Sequence, residues 1–92
     1  MLELSTTATF DKLFAKLPKS IQRKAAAKTD LFRENPFYPS LHSEKLRPKH
    51  HEVWSFRVDL AYRIIFKFLG PNHVELRYIG HHRSIYDYDM FR

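Results

Sequence analysis

The chain has 92 residues and a mass of 11.1 kDa, which rules out a second domain, because chains divide only well above this length. Cysteine is absent, so a disulfide staple and any Cys-ligated zinc or iron–sulfur site are excluded. Sixteen Lys plus Arg against ten Asp plus Glu leave a formal charge of +6, which fits a polyanionic partner: nucleic acid, a ribosome or an acidic protein.

Hydrophobic residues make up 43 % of the chain and aromatic residues 15 %, enough apolar mass for a core and too much for a disordered segment. A domain this short buries only about 60 to 65 % of its unfolded surface, so it depends on efficient packing or on a partner. No apolar run approaches the roughly 20 residues that span a bilayer. Charges stand near the N-terminus where a signal peptide needs an apolar stretch, so the expectation is a soluble cytoplasmic protein without a membrane partner.

Leu2, Glu3, Leu4 and Ser5 alternate apolar with polar and run into a Ser/Thr cluster, the pattern of a short strand ending at a helix cap. Thr6, Thr7 or Thr9 can cap a helix whose Phe10, Leu13, Phe14 and Leu17 form one apolar stripe, ended by Pro18. A second helix over about 19–34 carries Ile21, Ala25 and Phe32 and stops before Asn35-Pro36. Lys12, Lys16, Lys19, Arg23, Lys24 and Lys28 on the outside of this hairpin read most simply as a solvated face. Prolines at 36, 39 and 48 predict loops and no helix over 35–52, around a short extended piece at 43–46.

The second half alternates with period two over 53–79 and predicts three strands. Trp54, Phe56 and Val58, then Tyr62, Ile64, Phe66 and Phe68, then Val74, Leu76 and Tyr78 share the face that packs on the helices. The short links at Asp59-Leu60-Ala61 and Gly70-Pro71-Asn72 predict an antiparallel meander. The opposite face is left with Ser55, Arg57, Arg63, Ile65, Lys67, Glu75 and Arg77, a basic surface suited to an anion.

After the last strand, Gly80-His81-His82-Arg83-Ser84-Ile85-Tyr86 brings two imidazoles, a guanidinium and a phenol into one turn. Adjacent histidines in extended chain point apart, so neither His81-His82 nor His50-His51 has metal-ligand spacing, and no metal or other cofactor is expected. No serine sits in an activating elbow and no Gly-rich phosphate loop is present. Metal-free chemistry on a phosphodiester fits this inventory. Arginines offset charge in the transition state, histidine moves a proton at neutral pH, and in RNA the 2′-OH supplies the nucleophile.

The order of elements and several short stretches resemble the RelE/ParE superfamily of bacterial type II toxins, in the branch that cleaves messenger RNA on the ribosome. The carrying stretches are Leu17-Pro18-Lys19-Ser20-Ile21-Gln22, Asn35-Pro36, Pro39-Ser40-Leu41, Glu44-Lys45-Leu46, Trp54-Ser55-Phe56-Arg57-Val58, Tyr62-Arg63-Ile64-Ile65-Phe66, and Ile79-Gly80-His81-His82 with Ile85-Tyr86. Each is degenerate alone; their order over nearly the whole chain is specific. The resemblance implies one α+β domain over 1–92 with a RelE-like, microbial RNase-like fold: an N-terminal strand, a two-helix hairpin, a three-stranded antiparallel meander and a short C-terminal segment.

It further implies a ribosome-dependent endoribonuclease that cuts A-site codons to a 2′,3′-cyclic phosphate. Arg63 then contacts the scissile phosphate, Arg57 binds phosphate or stabilises the transition state, and His82 is the general acid. Tyr86 stacks on or orients the base, and Glu44 resembles the general base of the YoeB/Txe type. Lys45, Arg47, Lys67, Arg77, His81 and Arg83 are expected to contact RNA or the ribosome. Partners would be the 70S ribosome with its mRNA and an acidic cognate antitoxin, in a toxin–antitoxin hetero-oligomer. The strand lysines of the RelE branch are replaced by Ser55 and Arg57, which leaves the base open. A ParE-type gyrase inhibitor and a catalytically idle RNA- or antitoxin-binding member remain as alternatives.

Overall fold

The computed structural model describes residues 1–46 and 53–85. Its first element is the strand expected from the N-terminal alternation, β1 (Glu3–Thr6). Thr7 ends this strand and starts α1 (Ala8–Ala15): its backbone is extended and its Oγ1 accepts the Phe10 N–H at 3.1 Å. That contact satisfies one of the donors that every helix start leaves open. Thr7 also donates its amide to the Leu76 carbonyl at 3.2 Å and its hydroxyl to the Arg77 carbonyl at 3.1 Å. One side chain thus ties together a strand end, a helix start and the last long strand.

Pro18 cannot continue α1, since its ring clashes with the preceding turn, and its carbonyl instead accepts the Ile21 and Gln22 amides at the start of α2 (Lys19–Glu34). The Gln22 side-chain amide reaches back to the Phe14 carbonyl at 2.9 Å, which closes the end of α1. Asn35 stops α2 in an extended conformation, as a residue before proline must. The loop that follows departs from expectation, because a single 3₁₀ turn forms at Pro39–Leu41. Proline's fixed φ suits the first position of a helical turn, and His42 ends it in the left-handed region at φ 48°. The expected extended piece is β2 (Glu44–Lys45).

The remaining strands are β3 (Trp54–Arg57), β4 (Tyr62–Gly70) and β5 (His73–His81), followed by the helical turn α3 (His82–Ile85). They form one mixed sheet in the order β1-β5-β4-β3-β2, in which only the β1–β5 pairing is parallel. The meander is therefore as expected, and β1 and β2 extend it at the two edges.

The core lies between the sheet and the helical hairpin. Phe10, Ala25 and Phe32 from the helices meet Phe56, Ile64, Phe66, Val74 and Leu76 from the strands, with Val58 from the β3–β4 link and Leu41 from the 3₁₀ turn. Phe32 stands at its centre, stacked on Phe56 at 4.6 Å between ring centroids and edge-on to Phe66 at 4.7 Å. Such pairs add about 0.5 to 1.5 kcal/mol beyond their buried area.

Two sequence expectations are corrected here. Tyr78 does not join Val74 and Leu76; Ile79 does. Ile65 pairs with Tyr78 but the next residue, Phe66, pairs with Leu76, so Arg77 is an extra residue in β5. Such a bulge shifts the alternation of everything after it. The second correction concerns the outer face, which is not uniformly exposed. Ile65 is 0 % and Ser55 1 % exposed, and Ile65 forms a small second cluster with Val53, Leu46 and Tyr78.

Candidate functional site

Rows of side chains cross the outer face, because directly paired residues in an antiparallel sheet point the same way. At the sheet end nearest the β3–β4 turn, Arg57 pairs with Arg63, and Arg63 pairs with Gly80. Cross-strand neighbours stand about 4.5 to 5.5 Å apart at Cβ, and like charges so placed repel. Among the described residues neither arginine has an ion-pair partner. Gly80 contributes no side chain to this row, so the face is left open beside Arg63.

His82 is delivered to the same corner by α3. Its N–H donates to the Ala61 carbonyl at 2.7 Å, and its ring stacks on His81 at 4.7 Å between centroids. Partial desolvation, followed by the positive charges of His81, Arg63 and Arg83, holds its pKa below the ordinary 6.5. The imidazole is therefore mainly neutral at pH 7 while nothing anionic is bound.

Glu44 pairs with Ser55 and so lies on this face, one step of two residues from Arg57, or roughly 7 Å along the strand direction. Its neighbour Lys45 pairs with Trp54, whose side chain packs with the main core. Lys45 therefore belongs to the helix-side face and is not brought to the arginines. His81 meets Tyr62 edge-on at 5.7 Å, and its Nδ1 accepts the Arg83 N–H at 3.1 Å. These contacts cap the start of α3 and place the His81 ring against that of His82. Arg83 is exposed beside it.

Lys67 and Arg77 lie at the other end of the outer face. Lys67 pairs across strands with Glu75, and Arg77 Nη1 lies 3.8 Å from Glu75 Oε1. A row of buried Ser55 and Ile65 with half-buried Tyr78 separates this patch, where Glu75 partly offsets the two cations, from the Arg57–Arg63 row. Arg47 and Tyr86 lie outside the described residues. The expected sites thus divide, with Arg57, Arg63, His82 and Glu44 together and Lys45, Lys67 and Arg77 apart.

Sequence reasoning missed three contributors to this corner. Gly80 was visible as part of a motif, but its place opposite Arg63 depends on the β4–β5 register. The Ala61 carbonyl that anchors His82 carries no sequence signal. Asp59, which organises the turn around Ala61, had one, since Asp in a short link between two strands is an ordinary turn former.

A cleft of about 350 Å³ lies between α1 and α2, lined by Phe10, Phe14, Ala25, Ala26, Thr29 and Leu76 with Asp11 and Asp30. It opens on the helical side and so is separate from the arginines. Among the described residues no three His, Asp or Glu side chains converge as metal ligands, and no helix is long and apolar enough to cross a membrane.

A family model described as a ParE-like toxin domain matches residues 19–84, a span that holds both arginines, Glu44 and His82. Solved structures similar to this one include YafQ from Escherichia coli strain BL21(DE3), with a TM-score of 0.75 at 14 % identity, covering 94 % of this chain and 99 % of that one. A YoeB/ParE toxin from Agrobacterium tumefaciens scores 0.73 at 16 % identity over 88 % and 99 % of the two chains. The RelB–RelE antitoxin–toxin complex from Methanococcus jannaschii scores 0.72 at 21 % identity over 92 % and 98 %. These likenesses show the α+β fold; no curated protein matches the chain in sequence.

Proposed function

The chain belongs to the ParE-like toxin family, and on that premise we propose that it is the toxin of a type II toxin–antitoxin pair and acts as a metal-free, ribosome-dependent endoribonuclease on A-site codons. The observation that carries this reading is the Arg57–Arg63 row, two facing guanidiniums without a carboxylate partner among the described residues, beside an imidazole. A face built this way is short of an anion. The scissile phosphodiester supplies one, and its two non-bridging oxygens suit two guanidiniums.

In the reaction the 2′-oxygen attacks phosphorus while the bond to the 5′-oxygen breaks. Glu44 takes the 2′-hydroxyl proton, and His82 gives a proton to the departing 5′-oxygen, leaving a 2′,3′-cyclic phosphate and a 5′-hydroxyl. Arg57 and Arg63 offset the charge that builds on the phosphoryl oxygens. His82 is mainly neutral in the free protein, so its protonation is coupled to binding: a phosphate between it and Arg63 offsets the charges that hold its pKa down. The His82 imidazole waits uncharged and acquires its proton with the substrate. Tyr86 stacks on the base, and Arg83 and Arg47 contact the ribosome.

The partner is an acidic antitoxin, as the charge of +6 and the antitoxin-bound form of the RelE structure suggest. A second reading, inhibition of DNA gyrase without cleavage, draws on the ParE-like description of the family model. The test adds purified protein to a reconstituted translation reaction and maps mRNA ends by primer extension, with Arg63→Ala as the control. Codon-phased cuts that require ribosomes and vanish in the variant are expected. Growth arrest without any cut, accompanied by DNA-damage signalling, would overturn the ribonuclease reading in favour of gyrase.

A further inference from the structure

Arg57 is the last residue of β3 and Arg63 the second of β4, so they face each other only if the link between them closes in one register. Asp59 closes it. Its Oδ1 accepts the Ala61 N–H at 2.9 Å and the Tyr62 N–H at 2.8 Å, and its Oδ2 lies 3.4 Å from Lys24 Nζ. The Val58 amide donates to the Tyr62 carbonyl at 2.9 Å across the same link. With its N–H turned to Asp59, Ala61 presents its carbonyl to the His82 amide at 2.7 Å. A single carboxylate therefore sets the turn that carries both arginines and the carbonyl that anchors the imidazole.

We propose that Asp59 is the positioning residue of this site, fixing His82 against the Arg57–Arg63 row through the Ala61 carbonyl; its part in catalysis rests on the ribonuclease reading. Burial pushes the Asp59 carboxyl up, but the Tyr62 and Ala61 amides and Lys24 outweigh it and hold it below 3.8. Asp59 is thus ionised at every working pH. An asparagine would keep the Oδ1 acceptor and lose the charge and the contact to Lys24, whereas alanine would lose the acceptor as well.

The test compares the full-length wild type with Asp59→Ala and Asp59→Asn, reading the His82 ring titration by NMR on the free protein and the kinetics of cleavage. In Asp59→Ala the His82 ring leaves Arg63, while His81 and Arg83 travel with it on the same segment, so its pKa rises toward 6.5. The kcat falls by about 10- to 100-fold, as for a misplaced catalytic group, while KM changes less than about threefold. Asp59→Asn keeps the His82 titration and a kcat within about threefold of wild type. A folded Asp59→Ala in which His82 titrates as in wild type overturns the proposal.

Should Asp59→Ala fail to fold, the wild type itself decides. The Ala61, Tyr62 and His82 amide resonances are expected to move with one shared acid midpoint, that of Asp59; a His82 amide that ignores it overturns the proposal. Both NMR measurements need no RNA. A protein whose His82 follows Asp59 but which cuts nothing would support the positioning and overturn only the ribonuclease reading.

Discussion

The two faces of the central strands are built from alternate residues of the same stretches and end in opposite states. Toward the helices, Phe56, Ile64, Phe66 and Val74 are fully buried and Phe32 fills the space between them. Toward the outside, at the β3–β4 end, Arg57 faces Arg63 with no carboxylate partner among the described residues. The first face is complete without a ligand. The second holds an uncompensated charge, which isolated folding disfavours and a bound phosphate offsets. Stability and function are therefore separable by face, and substitutions can test that separation.

The largest expected effect lies on the helix side. Phe32→Ala removes a ring that contacts both Phe56 and Phe66 and costs about 3 to 5 kcal/mol. This is a large share of the roughly 5 to 15 kcal/mol that holds a small domain folded. Urea denaturation should show this loss, and an unchanged midpoint would break the comparison from the core side.

On the outer face the balance reverses. His82→Ala should lower the cleavage rate by about 10²- to 10⁴-fold, as expected for loss of a general acid. Wild-type cleavage should fall as pH rises through the His82 pKa of the bound complex, and the variant should lose that limb. Arg63→Ala should cost about 10²- to 10³-fold, yet its melting temperature should equal or exceed that of wild type, because a repulsive pair is removed. A clear drop in melting temperature would show that Arg63 belongs to the fold after all.

The depressed His82 pKa gives a related prediction with a definite sign. The unfolded chain takes up the proton first, near pH 6.5, so the folded protein loses stability as pH falls from there through the lower native value. Arg63→Ala should lessen that loss, which thermal melts over the acid range would measure.

Smaller effects sharpen the boundary between the faces. Thr7→Ala removes the α1 cap and the hydroxyl contact to Arg77, which should cost about 1 kcal/mol without altering the rate. Lys24→Ala removes a largely exposed contact to Asp59. It should shift stability by no more than about 0.5 kcal/mol.

The helix-side face was legible because its signals are local: the stripe of Phe10, Leu13, Phe14 and Leu17, the stop at Asn35-Pro36, and the alternation through Phe56, Ile64 and Phe66. Arg57 and Arg63 could be put on one face by parity alone. Tyr78 could not, because a bulge leaves no mark in the sequence and reverses every residue beyond it. The outer surface read as basic with Ser55 and Ile65 among its residues, whereas the structure divides it by a row of buried Ser55 and Ile65 joined by half-buried Tyr78. Lys45 was grouped with Glu44 because they are adjacent, and adjacency in a strand places side chains on opposite faces. The hold of Ala61 on His82 joins residues 21 positions apart, and only the folded chain shows it.

The central claim is that the Arg57–Arg63 corner acts on an RNA phosphodiester through the substrate's own 2′-hydroxyl. It is tested most directly with two ribosome-bound messages that differ only in a 2′-deoxy nucleotide at the scissile position, followed by end-group analysis. The account predicts a 2′,3′-cyclic phosphate and a 5′-hydroxyl from the ribose message and no cut in the deoxy one. Equal cleavage of both messages, or a 5′-phosphate product, would contradict it.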